Sequence, residues 1–176
     1  CLNRHRPIRQ GYIPLPVRDG GRDASQGKVT ILGTIDASGG AGGNIDLYGK
    51  SGVDIEGSLL ATGSAPDQRG GDVVIGTSGV ANGTVNATYG YENVAADTAG
   101  TITLGSSAVI DVHSAGTAGG LSGGTVLLRA PLLDDGSVNV VPDGHTESQI
   151  IGARDVSLEA YATWNTQDSS TGAQHF

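Results

Sequence analysis

Apolar and polar residues alternate along most of the chain in short runs, and Gly, Asn, Asp or Ser separates nearly all of these runs. Alternation with a period of two is typical of half-buried β-strands, and no long segment keeps the 3.6-residue period of a helix. The pattern therefore predicts an all-β protein with almost no helix. The predicted strands are 29–32, 44–49, 53–57, 72–76, 84–89, 101–105, 108–113, 125–130, 137–141, 148–152 and 155–161.

The predicted strands belong to an internal repeat. Residues 29–39 (VTILGTIDASG) match residues 53–63 (VDIEGSLLATG) almost class for class. Self-similarity at such a period indicates stacked supersecondary units. We therefore expect a solenoid of about five turns of 24–29 residues, each built from two or three strands. A second series consists of glycines that open a strand, namely Gly43, Gly71, Gly100 and Gly124.

The repeated glycines are interpreted as corners of the coil. Neighbouring turns of such a coil pair through their backbones at about 4.8 Å. Glycine suits a corner because it adopts positive φ freely and lets adjacent turns approach closely. Three polar segments, 64–69, 90–99 and 142–147, are predicted to bulge from the side of the coil. Loops on a rigid scaffold commonly carry recognition.

The chain divides into three segments by composition. Residues 1–26 contain three prolines and five of the ten basic residues, and they are predicted to form an extended arm because proline disfavours helix in the residue before it. Residues 27–164 are predicted to form the coil, and residues 165–176 a polar tail that leads into a missing continuation. The chain lacks Met and begins at Cys1, so we expect a fragment of a longer protein, with lipidation of Cys1 as the alternative.

The charge is distributed unevenly. The formal net charge is −8, yet residues 1–28 hold six basic and two acidic residues, whereas the remainder holds four basic and sixteen acidic residues. An acidic coil disfavours binding of nucleic acid. The single Cys excludes an internal disulfide, and no apolar stretch reaches the length of a membrane-spanning helix.

No metal or cofactor site is predicted. GGAGGNIDL (39–47) resembles a calcium-binding nonapeptide, but it occurs once, and Asp46 stands where that motif needs a large aliphatic residue. We interpret this stretch as a glycine-rich corner. The histidines show no zinc-ligand spacing, and His113 is expected to close a strand. The histidines are His5, His113, His145 and His175.

No catalytic residue is predicted, and the chain is expected not to be an enzyme. Asp134 and Asp135 precede Gly136, with Asp143 and His145 a few residues further on. Adjacent aspartates before glycine are typical of a turn, and their spacing gives no support to an acid–base pair. No nucleophile elbow and no phosphate-binding loop is present.

The N-glycosylation sequons and the threonines of the coil are not predicted to carry a function. Asn82 and Asn86 begin N-glycosylation sequons, and we interpret Asn82-Gly83 as a tight turn. The threonines at 101–103 are out of register with those elsewhere in the coil, so a threonine row of the ice-binding kind is not predicted. The out-of-register threonines are Thr30, Thr62 and Thr77.

Aromatic residues concentrate at the end of the repeat, where Tyr161 and Trp164 lie close together. We expect them to form an aromatic plug on the last turn. The alternative is a stacking platform for a sugar ring.

Several phrases of the chain resemble a known family. ILGTIDASGGAGGNIDLYGKSGVDIEGSLLATG, GGTVLLRAP and GARDVSLEAYATWNT are similar to sequences of the filamentous haemagglutinin family of large bacterial exoproteins, over roughly residues 17–176. The resemblance implies a right-handed parallel β-helix shaft. It also implies two-partner secretion, in which a dedicated outer-membrane partner transporter exports the protein to the cell surface or medium. Members act as adhesins, biofilm components or toxin carriers, and the family supplies no catalytic residues.

The resemblance leads to an expected function as a structural and adhesive segment that displays binding loops on a β-helix shaft. Its expected partners are the transporter, a host or bacterial surface glycan or protein, and further copies through the coil ends. One alternative is a self-assembling extracellular filament subunit. Another is a β-helix enzyme acting on acidic polysaccharide, which is disfavoured because the basic residues of the coil are far apart in sequence. These are Lys50, Arg69, Arg129 and Arg154.

Overall fold

The computed structural model describes residues 27–95, 99–115, 123–141 and 149–164, and these form fourteen strands and no helix. The predicted arm, the predicted tail and the predicted side loop at 142–147 lie outside the described residues. The strands are β1 Lys28–Ile31, β2 Thr34–Asp36, β3 Asn44–Gly49, β4 Gly52–Ile55, β5 Ser58–Leu60, β6 Asp72–Thr77, β7 Ala81–Val85, β8 Glu92–Val94, β9 Thr101–Leu104, β10 Val109–Asp111, β11 Thr125–Pro131, β12 Val140–Val141, β13 Ile150–Ile151 and β14 Asp155–Tyr161.

Twelve of these strands form three parallel sheets. The first sheet has the order β1-β4-β9-β12, the second β2-β5-β10-β13 and the third β3-β6-β11-β14. The chain therefore visits the three sheets in turn and returns to the first, which is the topology of a parallel β-helix. The predicted all-β solenoid is confirmed, with four turns in the described residues where the sequence predicted about five.

The register of the first two turns follows the sequence repeat residue by residue. Val29 pairs with Val53, Ile35 pairs with Leu59, and Gly39 bridges Gly63. Every pair keeps the same offset along the chain, so the alignment of 29–39 with 53–63 is the physical register of the coil. The short strands β2 and β5, which were not among the strands predicted from the sequence, lie within this aligned region.

The core is a narrow stack of aliphatic side chains between the three sheets. Alternation along each strand turns every second residue inward, and the inward residues of the two middle turns are fully buried. Since the strands are in register, each inward side chain packs on the equivalent residue of the next turn. The fully buried residues are Val53, Ile55, Leu59, Ala61, Val73, Ile75, Ile102, Ile110, Val112, Val126 and Ala130.

Glycine is required where the chain enters the third sheet because adjacent turns approach closely there. A Cβ on Gly71 would overlap the carbonyl oxygen of Gly43, and a Cβ on Gly124 would overlap that of Gly71. None of these three glycines has positive φ. Gly100 differs, because it has φ of 70° and precedes β9 in the first sheet. The predicted glycine series therefore mixes two different corners.

One segment that was predicted as a coil strand lies outside the coil. Strands β7 and β8 form an antiparallel hairpin between the second and third turns, and residues 87–89 make its turn. The predicted coil strand at 84–89 is therefore wrong, which reduces the number of turns. The prediction that 90–99 leaves the coil is confirmed for its described part. The predicted side loop at 64–69 lies between β5 and β6.

The hairpin β7–β8 is fixed against the side of the coil. Tyr91 is fully buried, and its hydroxyl donates a hydrogen bond to the carbonyl of Leu133. The backbone N–H of Glu92 donates to the carbonyl of Thr163 at 2.8 Å. The hairpin thus contacts both the connection that follows β11 and the segment that follows β14.

Candidate functional site

A groove of about 440 Å³ lies on the outer face of the third sheet. Alternation along β3, β6, β11 and β14 places Tyr48, Val74, Leu127 and Tyr161 on this outer face. Val74 and Leu127 pair in adjacent strands and form an apolar floor, while the tyrosines stand toward the coil's first and last turns. Outward positions of a solvent-facing sheet are usually polar, so this apolar strip is a departure from the pattern.

Two tyrosine hydroxyls converge on Ser78 at one end of the groove. The hydroxyl of Tyr48 donates to Oγ of Ser78 at 2.7 Å. The hydroxyl of Tyr161 is buried beside Ser78, and no described residue gives it a hydrogen bond of ordinary geometry. Gly76 lies beneath the Tyr48 ring, and a Cβ there would contact that ring at 3.4 Å.

The groove also carries charged groups. The guanidinium carbon of Arg129 lies 6.0 Å from the centre of the Tyr161 ring, at the limit of a cation–π contact. Nε of Arg129 is 3.8 Å from a carboxylate oxygen of Glu159, and both side chains are exposed. Asp46 adds a carboxylate to the lining. Of the four basic residues that the sequence analysis considered for an enzyme, Arg129 is the one in this lining.

The environment of Tyr161 shifts its ionisation. Burial raises the pKa of Tyr161 to about 12, while the Ser78 hydroxyl and the Arg129 guanidinium act in the opposite direction. The phenol is therefore neutral at physiological pH, and its buried hydroxyl lies beside Ser78. The lining thus combines hydroxyl, guanidinium and carboxylate groups with the apolar floor.

This groove was not predicted from the sequence. Its members lie on different turns, and they converge only once the register of the third sheet is known. The sequence feature that could have indicated the groove is the alignment of β6 with β11, because it places Val74 beside Leu127 at an outward position. Arg129 was considered separately for an enzyme, and Tyr161 for an aromatic plug or a stacking platform for a sugar ring.

The acidic turn is confirmed for its described residues. Asp134 and Asp135 lie in the turn that precedes Gly136. A carboxylate oxygen of Asp135 accepts hydrogen bonds from the hydroxyl and the backbone N–H of Ser137 at 2.6 and 2.9 Å, and these bonds lower the pKa of Asp135. The carboxylate is engaged in holding the turn. Asp143 and His145 lie outside the described residues.

His113 lies two residues beyond the end of β10, the strand that the sequence predicted it to close. Its Nδ1 lies 2.6 Å from a carboxylate oxygen of Asp111, which also accepts the backbone N–H of His113 at 3.1 Å. The contact is local and exposed. The other three histidines of the chain lie outside the described residues.

The glycine-rich stretch at 39–47 is a corner followed by β3, as expected, and Asp46 projects outward from that strand.

The threonines do not form a row, because Thr30, Asp54 and Thr103 follow one another across the first sheet.

The sequons lie in and beside β7. The side chain of Asn86 is buried, and its oxygen accepts the backbone N–H groups of Thr88 and Tyr89 at 2.9 and 3.0 Å. The predicted tight turn at Asn82-Gly83 is wrong, since both residues lie inside β7 at a point where its pairing is irregular. Asn86 is therefore a structural residue of the hairpin turn.

The two aromatic residues near the end of the repeat lie in different places. Tyr161 lines the groove, whereas Trp164 packs edge-on against Tyr91 with ring centres 6.3 Å apart. The predicted plug is wrong, because the inward residues of the last strand, Val156 and Leu158, remain about half exposed. After β14 the chain runs toward the hairpin, because Thr163 forms an antiparallel bridge with Glu92.

Within the described ranges, no three His, Cys, Asp or Glu side chains are grouped so as to hold a metal ion. No helix of the described residues is long and apolar enough to cross a bilayer.

Comparisons of the chain with protein-family models, with curated proteins and with solved structures returned no match.

Proposed function

We propose that the chain is a structural and adhesive segment of a large secreted bacterial surface protein of the filamentous haemagglutinin type. The observation that carries the proposal is the stack of three parallel sheets in exact register. Such a stack lengthens by about 4.8 Å with each added turn and stays rigid. The family phrases quoted above supply the remainder of the argument, including export by a partner transporter and an extracellular location.

The proposed mechanism is extension and display. A rigid coil holds side elements, such as the hairpin β7–β8 and the outer face of the third sheet, at a fixed distance from the cell. Binding surfaces on regular strands are held more precisely than those on loops. The groove on the third sheet is built in this way from four strands of the coil.

Immunoblots of producing cells and their medium test the proposal. An antibody raised against this chain should detect a polypeptide far larger than 17.6 kDa at the cell surface or in the medium. The purified chain, added in excess, should reduce attachment of the same cells to a surface. A small band confined to the cell interior, with attachment unchanged, would contradict the proposal.

A self-assembling filament subunit is the second candidate. The observation that favours it is the exposure of inward side chains at the last turn, where Val156 and Leu158 end the apolar stack. The last turn is not covered by another strand of the described residues, and such an edge leaves backbone groups able to pair with another chain. Sedimentation and electron microscopy over a range of concentrations test this candidate. Fibres that grow with concentration would support it, and a monomer at every concentration would refute it.

A further inference from the structure

The groove on the third sheet has the composition of a small-ligand site. It combines an apolar floor, Val74 and Leu127, with two tyrosine side chains whose hydroxyls approach Ser78. Sites for small ligands are concave and largely apolar, with a few polar groups that fix orientation. Here Ser78 and Arg129 are among the polar groups of the lining.

The shape of the groove matches an extended ligand. Its lining includes residues from four successive turns, since β3, β6, β11 and β14 all contribute. Four adjacent strands span roughly 14 Å along the coil axis. A groove that crosses four turns favours a linear molecule lying along the coil axis over a compact one.

The charge around the groove favours a neutral ligand. Arg129 is accompanied by the carboxylates of Asp46 and Glu159, and the whole chain carries −8. An acidic surface repels polyanions. Rings with apolar faces and hydroxyl rims fit both the tyrosines and the polar lining, because tyrosine presents an apolar ring with a polar tip.

We propose that this groove binds a neutral oligosaccharide chain along the coil axis, with Tyr48 and Tyr161 packing against sugar rings and Arg129 and Asp46 bonding to hydroxyl groups. The inference rests on the proposed adhesive function and names the ligand class of its binding surface. Ser78 positions the Tyr48 ring through their hydrogen bond.

Titration calorimetry of the full chain with cellohexaose, maltohexaose and chitohexaose tests the inference, with hexagalacturonate as the anionic comparison. At least one neutral hexasaccharide should bind more tightly than hexagalacturonate. Tyr48→Ala should weaken that binding about two- to tenfold, and the double variant Tyr48→Ala/Arg129→Gln should weaken it further. Tyr89→Ala is the matched control, because Tyr89 is exposed to a similar degree but is not part of the groove lining.

Four outcomes would overturn the inference. Three are no binding of any neutral hexasaccharide at millimolar concentration, equal weakening by Tyr48→Ala and Tyr89→Ala, and tighter binding of hexagalacturonate; the fourth concerns a peptide. A synthetic peptide of residues 1–26 should not bind. If it binds and Tyr48→Ala abolishes that binding, the groove is a peptide site instead. Circular dichroism confirms that each variant is folded. Sugar binding is measured without cells, so its failure would leave the surface location and size of the protein unaffected.

Discussion

At the scale of single residues, the glycine corner gives the sharpest prediction. Gly71→Ala should lower the free energy of unfolding by about 1–3 kcal/mol or more, because the added methyl group would overlap the backbone of Gly43 and the turns would have to separate. The measurement is the urea midpoint followed by circular dichroism. Gly33→Ala is the matched control, since nothing lies within 4 Å of a Cβ at that position.

Gly33→Ala should change the free energy of unfolding by less than about 0.5 kcal/mol. Equal midpoints for the two variants would show that close approach of adjacent turns is not the reason for glycine at this corner.

A second prediction at this scale concerns alkaline pH. The pKa of Tyr161 is raised to about 12 by burial, against about 10 for an unfolded tyrosine. The folded state therefore holds this proton more tightly than the unfolded state does. The resulting contribution to stability is complete below pH of about 10 and is lost as the pH rises toward 12.

Phenolate absorbance of the native chain minus that of Tyr161→Phe should isolate this group, with a midpoint near 12. Ser78→Ala should move the midpoint upward, because the Ser78 hydroxyl lowers the pKa of Tyr161. A difference curve centred near 10 would show that Tyr161 is not buried as described.

The residue types in the sequence indicated where the corners lie, but not why glycine is required at each of them. Gly100 is required both by positive φ and by a close approach to the backbone of Gly79, whereas Gly71 is required by a close approach alone, and the two glycines look the same in the sequence. The distinction depends on which backbone lies across from the residue, and that is a property of the assembled coil. Turn formers such as Asp135 were predictable because their hydrogen bonds are local.

At the scale of elements, the hairpin β7–β8 should be separable from the coil. Its two ends lie together, because the N–H of Gly79 donates to the carbonyl of Lys50 at 2.6 Å and the N–H of Gly100 donates to that of Ser51 at 3.1 Å. Replacing residues 80–99 by two glycines should therefore leave a folded coil with strand-type circular dichroism and a cooperative transition.

Trp164 reports on the same excision. Its ring contacts Tyr91 of the hairpin, and it is the single Trp of the chain. Its fluorescence should shift to longer wavelength when the hairpin is removed and its ring becomes more exposed. Loss of the cooperative transition would contradict the prediction and show that the coil needs the hairpin to fold.

Elements were predictable where the repeat was visible. Strands β3 and β14 have the predicted bounds, and the alignment of 29–39 with 53–63 gave the correct register. The segment at 84–89 was wrongly placed in the coil because alternation is the same in an antiparallel hairpin and in a coil strand. Only pairing partners distinguish the two, and β7 pairs locally with β8.

At the scale of the whole molecule, the groove was beyond sequence reasoning for a related reason. Tyr48, Leu127 and Tyr161 belong to the first, third and fourth turns, and unequal side elements separate the turns in sequence. A fixed repeat length does not align them. Neighbouring residues on the outer face of a coil can be assigned only after the inward residues have fixed the register of every turn.

The open end of the coil leads to a prediction about association. Leu128 and Leu158 are register partners at inward positions, but Leu128 is 2 % exposed and Leu158 is 51 % exposed because no further strand of the described residues covers it. Leu158→Lys should keep the fold and reduce concentration-dependent association in sedimentation. Leu128→Lys, the matched control, should destabilise the fold by about 3 kcal/mol or more, since it buries an unpaired charge. If Leu158→Lys destabilises the fold as much as Leu128→Lys, the last turn is covered in solution and the coil end is not an association surface.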